Sequence, residues 1–240
     1  MKIEIADSYR PVTRFLESVP MLFDKGEGEL LYHERNEVRR LEHKGLVFIA
    51  KRYKHVNLAQ SIAYTFFRPT KAARAYRYAS EFRKRGVQTP REIAYIETHE
   101  LGLFTVGYFI SEECHGRETH LDLREVENYD PELAHAVARQ MVFMHSRGIL
   151  HGDTNLTNFL YERQGDTITF NMIDINRSHF TDGWPTDEQC LQNLVRLTHR
   201  RDLYEFLVRS YARLRGWDEN DTAQQALQLL DRFENKRFRL

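Results

Sequence analysis

The sequence predicts an α+β fold of two lobes, the first rich in β-strand and the second mostly helical. Three observations carry this reading. Residues 29–53 break into strand-like runs, residues 131–147 form a capped amphipathic pattern, and residues 159–174 read as a hairpin between helical stretches.

The elements follow in chain order. "ELLYHERNEVRRLEHKGLVFIAKRY" (Glu29 to Tyr53) breaks at "ERN" and again at "HKG", and "LVFIA" is a compact apolar run. Three antiparallel strands are expected there. "TKAARAYRYASEFRKR" (Thr70 to Arg85) has no Pro or Gly inside, so a helix is expected, with Thr70 as its cap and Gly86 as its stop. Pro90 opens an extended segment, and "GLFTVGYFIS" (Gly102 to Ser111) reads as a further strand. Asp130 before Pro131 is an N-cap followed by proline at the first helical position. Leu133, Val137, Met141 and Met144 then share one face, and Gly148 ends that helix. "NFLYERQGDTITFNMID" is expected to turn near Gln164-Gly165-Asp166. Beyond Trp184-Pro185, helices are expected over about 187–198, 202–214 and 221–233.

A chain of 240 residues suits one large domain or two lobes, and 41% hydrophobic content is enough for a core. Formal net charge is zero, so nothing global draws nucleic acid. The two cysteines, Cys114 and Cys190, have no zinc spacing and fit a reducing compartment; both are read as buried thiols. "MKIEIADSYRP" has no apolar core of signal-peptide length, and runs such as "LVFIA" are too short to span a bilayer. A cytoplasmic protein is expected. Arg68, Lys71, Arg74, Arg77, Arg83, Lys84, Arg85 and Arg91 gather around the Thr70–Arg85 helix, with Glu81 the acid among them. This basic surface, with the tail "ENKRFRL", would suit an anionic glycolipid or peripheral contact with the inner membrane leaflet.

"ILHGDTNLTNFLY" (Ile149 to Tyr161) and "NMIDINR" (Asn171 to Arg177) carry the chemistry. Phosphoryl transfer needs a metal against the phosphates, a cation on them, and a carboxylate aimed at the attacking hydroxyl. Asp153 and Asn158 offer a carboxylate and an amide oxygen from one loop, and Asp174 offers a second carboxylate after the hairpin. Such hard oxygen donors suit Mg²⁺. Lys51, ending "VFIAK", is the candidate phosphate cation. A metal-hydrolase reading of His151, Asp153 and Asp174 lacks a second histidine at ligand spacing.

"HGDTNLTN" resembles the H-x-D-x-x-x-x-N catalytic loop of the protein-kinase-like superfamily, and "IDIN" resembles its D-F-G element. "YHERNEV", "VFIAKRYK", "GVQTPREIAYIE", "HGD…N" and "MIDINR" occur in the order of the bacterial lipopolysaccharide core kinase family, which phosphorylates Kdo or heptose. The resemblance covers roughly Glu29 to Phe180. It implies a kinase-like N-lobe over 1–112, a C-lobe over 113–240, and ATP with Mg²⁺ as cofactors. By that resemblance Asp153 orients the sugar hydroxyl and accepts its proton, Asn158 and Asp174 hold the metal, and Lys51 contacts the α- and β-phosphates. His151 braces the loop. "SEEC" becomes the adenine hinge, with main-chain groups of Glu112 and Cys114 pairing with the base.

Departures shape the rest. No G-x-G-x-x-G is present, and the turn near His33 to Asn36 has no glycine. The expected helix glutamate falls at Arg77, and Glu81, a turn later, is the candidate replacement. Asn155 stands where protein kinases carry a lysine, and no A-P-E follows "RSHFTDGWPTDEQ", which argues against a peptide platform and for a small-molecule or glycan acceptor. The favoured expectation is ATP-dependent phosphorylation of a sugar hydroxyl of lipopolysaccharide core. The rivals are a small-molecule kinase of the aminoglycoside or choline phosphotransferase type, and a nucleotide-binding pseudokinase.

Overall fold

A computed structural model describes residues 1–34, 36–53 and 56–237, with Arg237 described by its backbone alone. Arg35 of the glycine-free turn, Lys54, and the end of the basic tail from Phe238 lie outside the described residues. The chain divides into two compact units: residues 1–84 with 89–114, and residues 85–88 with 115–240.

The first unit is built on one antiparallel sheet. Its strands are β1 (Lys2–Ile5), β2 (Glu29–His33), β3 (Glu37–His43), β4 (Leu46–Arg52), β5 (Glu92–Glu100) and β6 (Leu103–Glu112), in the order β1-β5-β6-β4-β3-β2. The three strands expected over 29–53 are found. Helix α1 (Thr13–Asp24) lies outside the predicted elements; its Leu16, Val19 and Phe23 pack with Phe48, Ala50, Ile93, Ile96 and Ile110. Helix α2 (Leu58–Phe66) also lies outside them, capped by Asn57, whose side chain accepts from the Gln60 amide at 2.9 Å. Helix α3 (Lys71–Lys84) buries Ala72 and Ala73 against Tyr53 and Tyr95. Its expected cap is present: Thr70 Oγ1 accepts from the Ala73 amide at 3.1 Å. Side chains alternate across a strand. Phe48 and Ala50 therefore point to the α1 face, while Lys51, paired in register with Phe109, lies on the face that carries α3.

The second unit holds α4 (Thr119–Leu123), α5 (Pro131–Ser146), α6 (Asp187–Leu194), α7 (Arg201–Arg215) and α8 (Glu219–Arg237). Two short sheets accompany them among the described residues: β7 (Arg117–Glu118) with the hairpin β9 (Phe159–Gln164) and β10 (Thr167–Met172), and β8 (Ile149–Leu150) with β11 (His179–Phe180). Asp130 caps α5 as expected, its Oδ1 accepting from the Glu132 amide at 2.9 Å. Leu133, Val137, Met141 and Met144 are all buried. Helix α6 ends at Leu194, short of the predicted 198. The chain turns there so that the Leu197 carbonyl accepts from the Leu156 amide at 3.3 Å.

Candidate active site

The second unit positions Asp153, Asn158 and Asp174. After α5 stops at Gly148 (φ +67), β8 leads into His151-Gly152-Asp153. Gly152 has φ +73, and a Cβ built on it would stand 2.3 Å from the Arg177 carbonyl oxygen. Only glycine lets the two segments approach that closely. His151 is fully buried, and its Nε2–H donates to the Ile173 carbonyl at 3.1 Å. Burial pushes its pKa down, so the ring stays neutral and braces the loop against the end of β10. Ser178 Oγ donates to the His151 carbonyl at 3.1 Å from the other side.

Asn155 caps a 3₁₀ turn, Leu156–Asn158, its side-chain oxygen accepting from the Thr157 amide at 3.1 Å. The residue standing in for the protein-kinase lysine is therefore a structural cap. Asn158 Nδ2 donates to the Asp153 carbonyl at 2.9 Å, which leaves the amide oxygen as the end of that side chain able to meet a cation. The Ile173 amide donates to the Asn158 carbonyl at 3.0 Å, joining the loop to the residue before Asp174. Asp174 then takes a left-handed backbone (φ 53, ψ 43), uncommon for a residue with a Cβ. Its Oδ1 accepts from Asn176 Nδ2 at 2.7 Å. Such strain persists where neighbours over-determine it, and here both the amide and the carbonyl of Ile173 are bonded. Asp153 Oδ2 lies 3.3 Å from Arg177 Nη1 in a partly exposed pair. The donor set is one carboxylate with one amide oxygen, which fits Mg²⁺. No cluster of three or more His, Cys, Asp or Glu suited to a metal occurs among the described residues.

Sequence reasoning missed what holds this loop from beneath. His145 is buried on α5; its Nδ1 accepts from Tyr211 Oη at 2.8 Å, and its Nε2 donates to Asn193 Oδ1 at 3.0 Å. Burial lowers its pKa to about 4. The Asn193 carbonyl in turn accepts from Thr154 Oγ1 at 2.7 Å, one residue past Asp153. No local pattern signals Asn193, because its partners lie 39 and 48 residues away. Asn176 and Arg177 were visible inside "IDINR" but carried no assigned role. Beside the loop a cavity of about 450 Å³ is lined by Leu150, Gly152, His179, Gln189, Gln192 and Arg196, among others.

The first unit holds Lys51, Glu81, Glu112 and Cys114. Lys51 Nζ lies 5.5 Å from the centre of the Tyr53 ring. Carboxylates of β5 fix both ends of α3: Thr70 Oγ1 donates to Glu97 at 2.7 Å, and Arg83 pairs with Glu92 at 2.5 Å. Arg77 is exposed, whereas Glu81 is half-buried. The Glu112 amide already donates to the Arg91 carbonyl at 2.9 Å. Of the main-chain groups of Glu112, this leaves the carbonyl for the expected hinge contact. Cys114 is half-buried, not buried as expected, while Cys190 is buried. The basic cluster shrinks as well. Arg83 is spent on Glu92, and Arg85 Nη1 donates to the Arg147 and Thr181 carbonyls, each at 2.8 Å, at the end of α5.

The profile of the lipopolysaccharide kinase (Kdo/WaaP) family matches residues 27–233. No individual curated protein is matched. Among solved structures, one titled "WaaP in complex with acyl carrier protein" is similar with a TM-score of 0.62 and 19% identity, covering 98% of each chain. At that identity it speaks for the fold, which is protein-kinase-like. With the profile spanning most of its length, the chain belongs to the lipopolysaccharide kinase (Kdo/WaaP) family and is a phosphotransferase acting on a sugar hydroxyl of lipopolysaccharide core.

Proposed function

We propose that ATP is the phosphoryl donor, Mg²⁺ the accompanying metal, and a Kdo or heptose hydroxyl the acceptor, at the cytoplasmic side of the inner membrane. The observation that carries this reading is the joining of Asp153, Asn158 and Asp174 through the Ile173 amide and the Asn158 side chain. Asp153 orients the acceptor hydroxyl and takes its proton as the sugar oxygen bonds to the terminal phosphorus and the bond to the leaving diphosphate breaks. Arg177 Nη1, 3.3 Å from Asp153 Oδ2, flanks that carboxylate. Asn158 and Asp174 are the residues that would hold Mg²⁺, which when bound neutralises phosphate charge. Lys51 steadies the α- and β-phosphates, Glu81 orients Lys51, and the Glu112 carbonyl with main-chain groups of Cys114 receives the base. The cavity lined by His179, Glu188, Gln189, Gln192 and Arg196, among others, is the candidate acceptor seat, since amides, a carboxylate and a guanidinium can together hydrogen-bond the hydroxyls of a sugar.

ATP consumption by the purified chain, measured with Kdo- and heptose-terminated acceptors, aminoglycosides and choline, tests this. Turnover is expected with a Kdo or heptose acceptor. Turnover with aminoglycoside or choline alone would overturn the acceptor, and none with any of them, with nucleotide still bound, would restore the pseudokinase reading.

A further inference from the structure

Helix α2 packs its polar side inward. Ser61 is buried, and its Oγ donates to the Phe104 carbonyl; Thr65 Oγ1 accepts from the Phe104 amide at 2.9 Å. The outward side chains are large and apolar. Leu58 is 68% exposed, Ile62 39%, Phe66 67%, and Phe67, just past the helix, 81%. Leu58, Ile62 and Phe66 recur every fourth residue and so form one stripe, about 12 Å long. A contiguous apolar stripe of this kind with a polar anchoring side marks an interaction surface.

The charge around it names the partner. From Asn57 to Ser80 the chain carries Arg68, Lys71, Arg74 and Arg77 and no Asp or Glu. Arg68 and Lys71, directly after the stripe, are exposed, and the Arg68 guanidinium lies 4.6 Å from the Tyr64 ring centre. A second copy of this chain would set cation against cation. A lipid leaflet instead supplies an apolar layer edged by anions, which matches apolar side chains followed at once by basic ones. No helix among the described residues is long and apolar enough to cross a membrane.

We infer that α2 is an interfacial helix: Leu58, Ile62, Phe66 and Phe67 enter the acyl boundary of an anionic bilayer, and Arg68 and Lys71 meet its phosphate headgroups. The surface stands on α2 alone; its purpose, bringing the enzyme to a glycolipid acceptor, rests on the function proposed above.

Sedimentation of the full chain with phosphatidylcholine vesicles, with and without phosphatidylglycerol, tests the inference. Binding is expected to the anionic vesicles, weakening with salt. The double variant Ile62→Asp, Phe66→Asp should lower partitioning about tenfold or more, with circular dichroism unchanged. Arg68→Glu with Lys71→Glu should remove the salt dependence. In Phe66→Trp protein, added anionic vesicles should shift the emission of the new indole to the blue. No binding by the wild-type chain at low salt, or undiminished binding by the double aspartate variant, overturns the inference. Capture by an acidic soluble protein without vesicle binding overturns it too, by reassigning the face. Turnover on a soluble Kdo acceptor should be unchanged in the α2 variants. If wild-type protein binds vesicles yet turns over no acceptor, the proposed function fails and the membrane surface stands.

Discussion

In the unit of residues 115–240, Asp153, Asn158 and Asp174 stand on irregular backbone that main-chain hydrogen bonds hold in place. In the other unit, Lys51 and Glu81 stand on a strand and a helix whose relative height is set by buried carboxylates of β5. The first arrangement concentrates its information in a few neighbouring residues. The second spreads it over the register of a sheet and the ends of a helix. Loop residues should therefore act through their own atoms, and each substitution should be felt alone. Lys51 and Glu81 should act as one unit.

The largest effect is expected at Asp153. Asp153→Ala should cut transfer about a thousandfold, in the range of losing a general base, while calorimetry shows nucleotide affinity nearly intact. A large loss of affinity with the fold intact would show that Asp153 serves the nucleotide and not the acceptor. Asp174→Asn should follow, costing on the order of a hundredfold in turnover because it removes a formal charge from the metal-facing group. Near-normal turnover by folded Asp174→Asn protein would strike the metal assignment.

The Lys51 and Glu81 pair sharpens the contrast. With α3 fixed at both ends and Lys51 on the sheet face that α3 covers, Glu81→Gln should reduce turnover about as much as Lys51→Met, and the double variant should lose little more. A silent Glu81→Gln beside a damaging Lys51→Met would break the idea that Glu81 takes the role expected at Arg77.

The smallest effect concerns stability and pH. The folded pKa of His145 is depressed to about 4 by burial, against about 6.5 when unfolded. The unfolded chain therefore binds the proton first as pH falls. The stabilisation is complete above pH 6.5 and is lost on descending towards pH 4, at most about 3 kcal/mol from this group. Burial of His151 acts in the same direction. Thermal melts from pH 7 to pH 4 should show this loss, and His145→Gln should flatten it. An unchanged pH slope in that variant would remove His145 from the account.

Much of the fold was legible in the chain. Thr70, Asp130, Gly86 and Gly148 announce helix ends because capping is local chemistry, and "QGD" announces the hairpin for the same reason. Helices α1 and α2 gave less. Pro20 sits inside α1, and α2 turns its polar side to the sheet, so neither pattern points to a core in the usual way. Asp153, Asn158 and Asp174 were readable because loop chemistry is written at fixed short spacing.

What the sequence by itself determined was therefore the local part: the caps, the turn, the strand runs, and which side chains in "HGDTNLTN" and "IDINR" carry oxygen donors. Only the tertiary structure decided the rest. It set the left-handed backbone at Asp174, the engagement of the Glu112 amide by Arg91, the support of Thr154 by Asn193 and His145, and the outward stripe on α2. Each of these depends on partners tens of residues away, or on which face a neighbouring element leaves open. Spacing along a chain fixes the direction of a side chain but not what will be standing there to meet it.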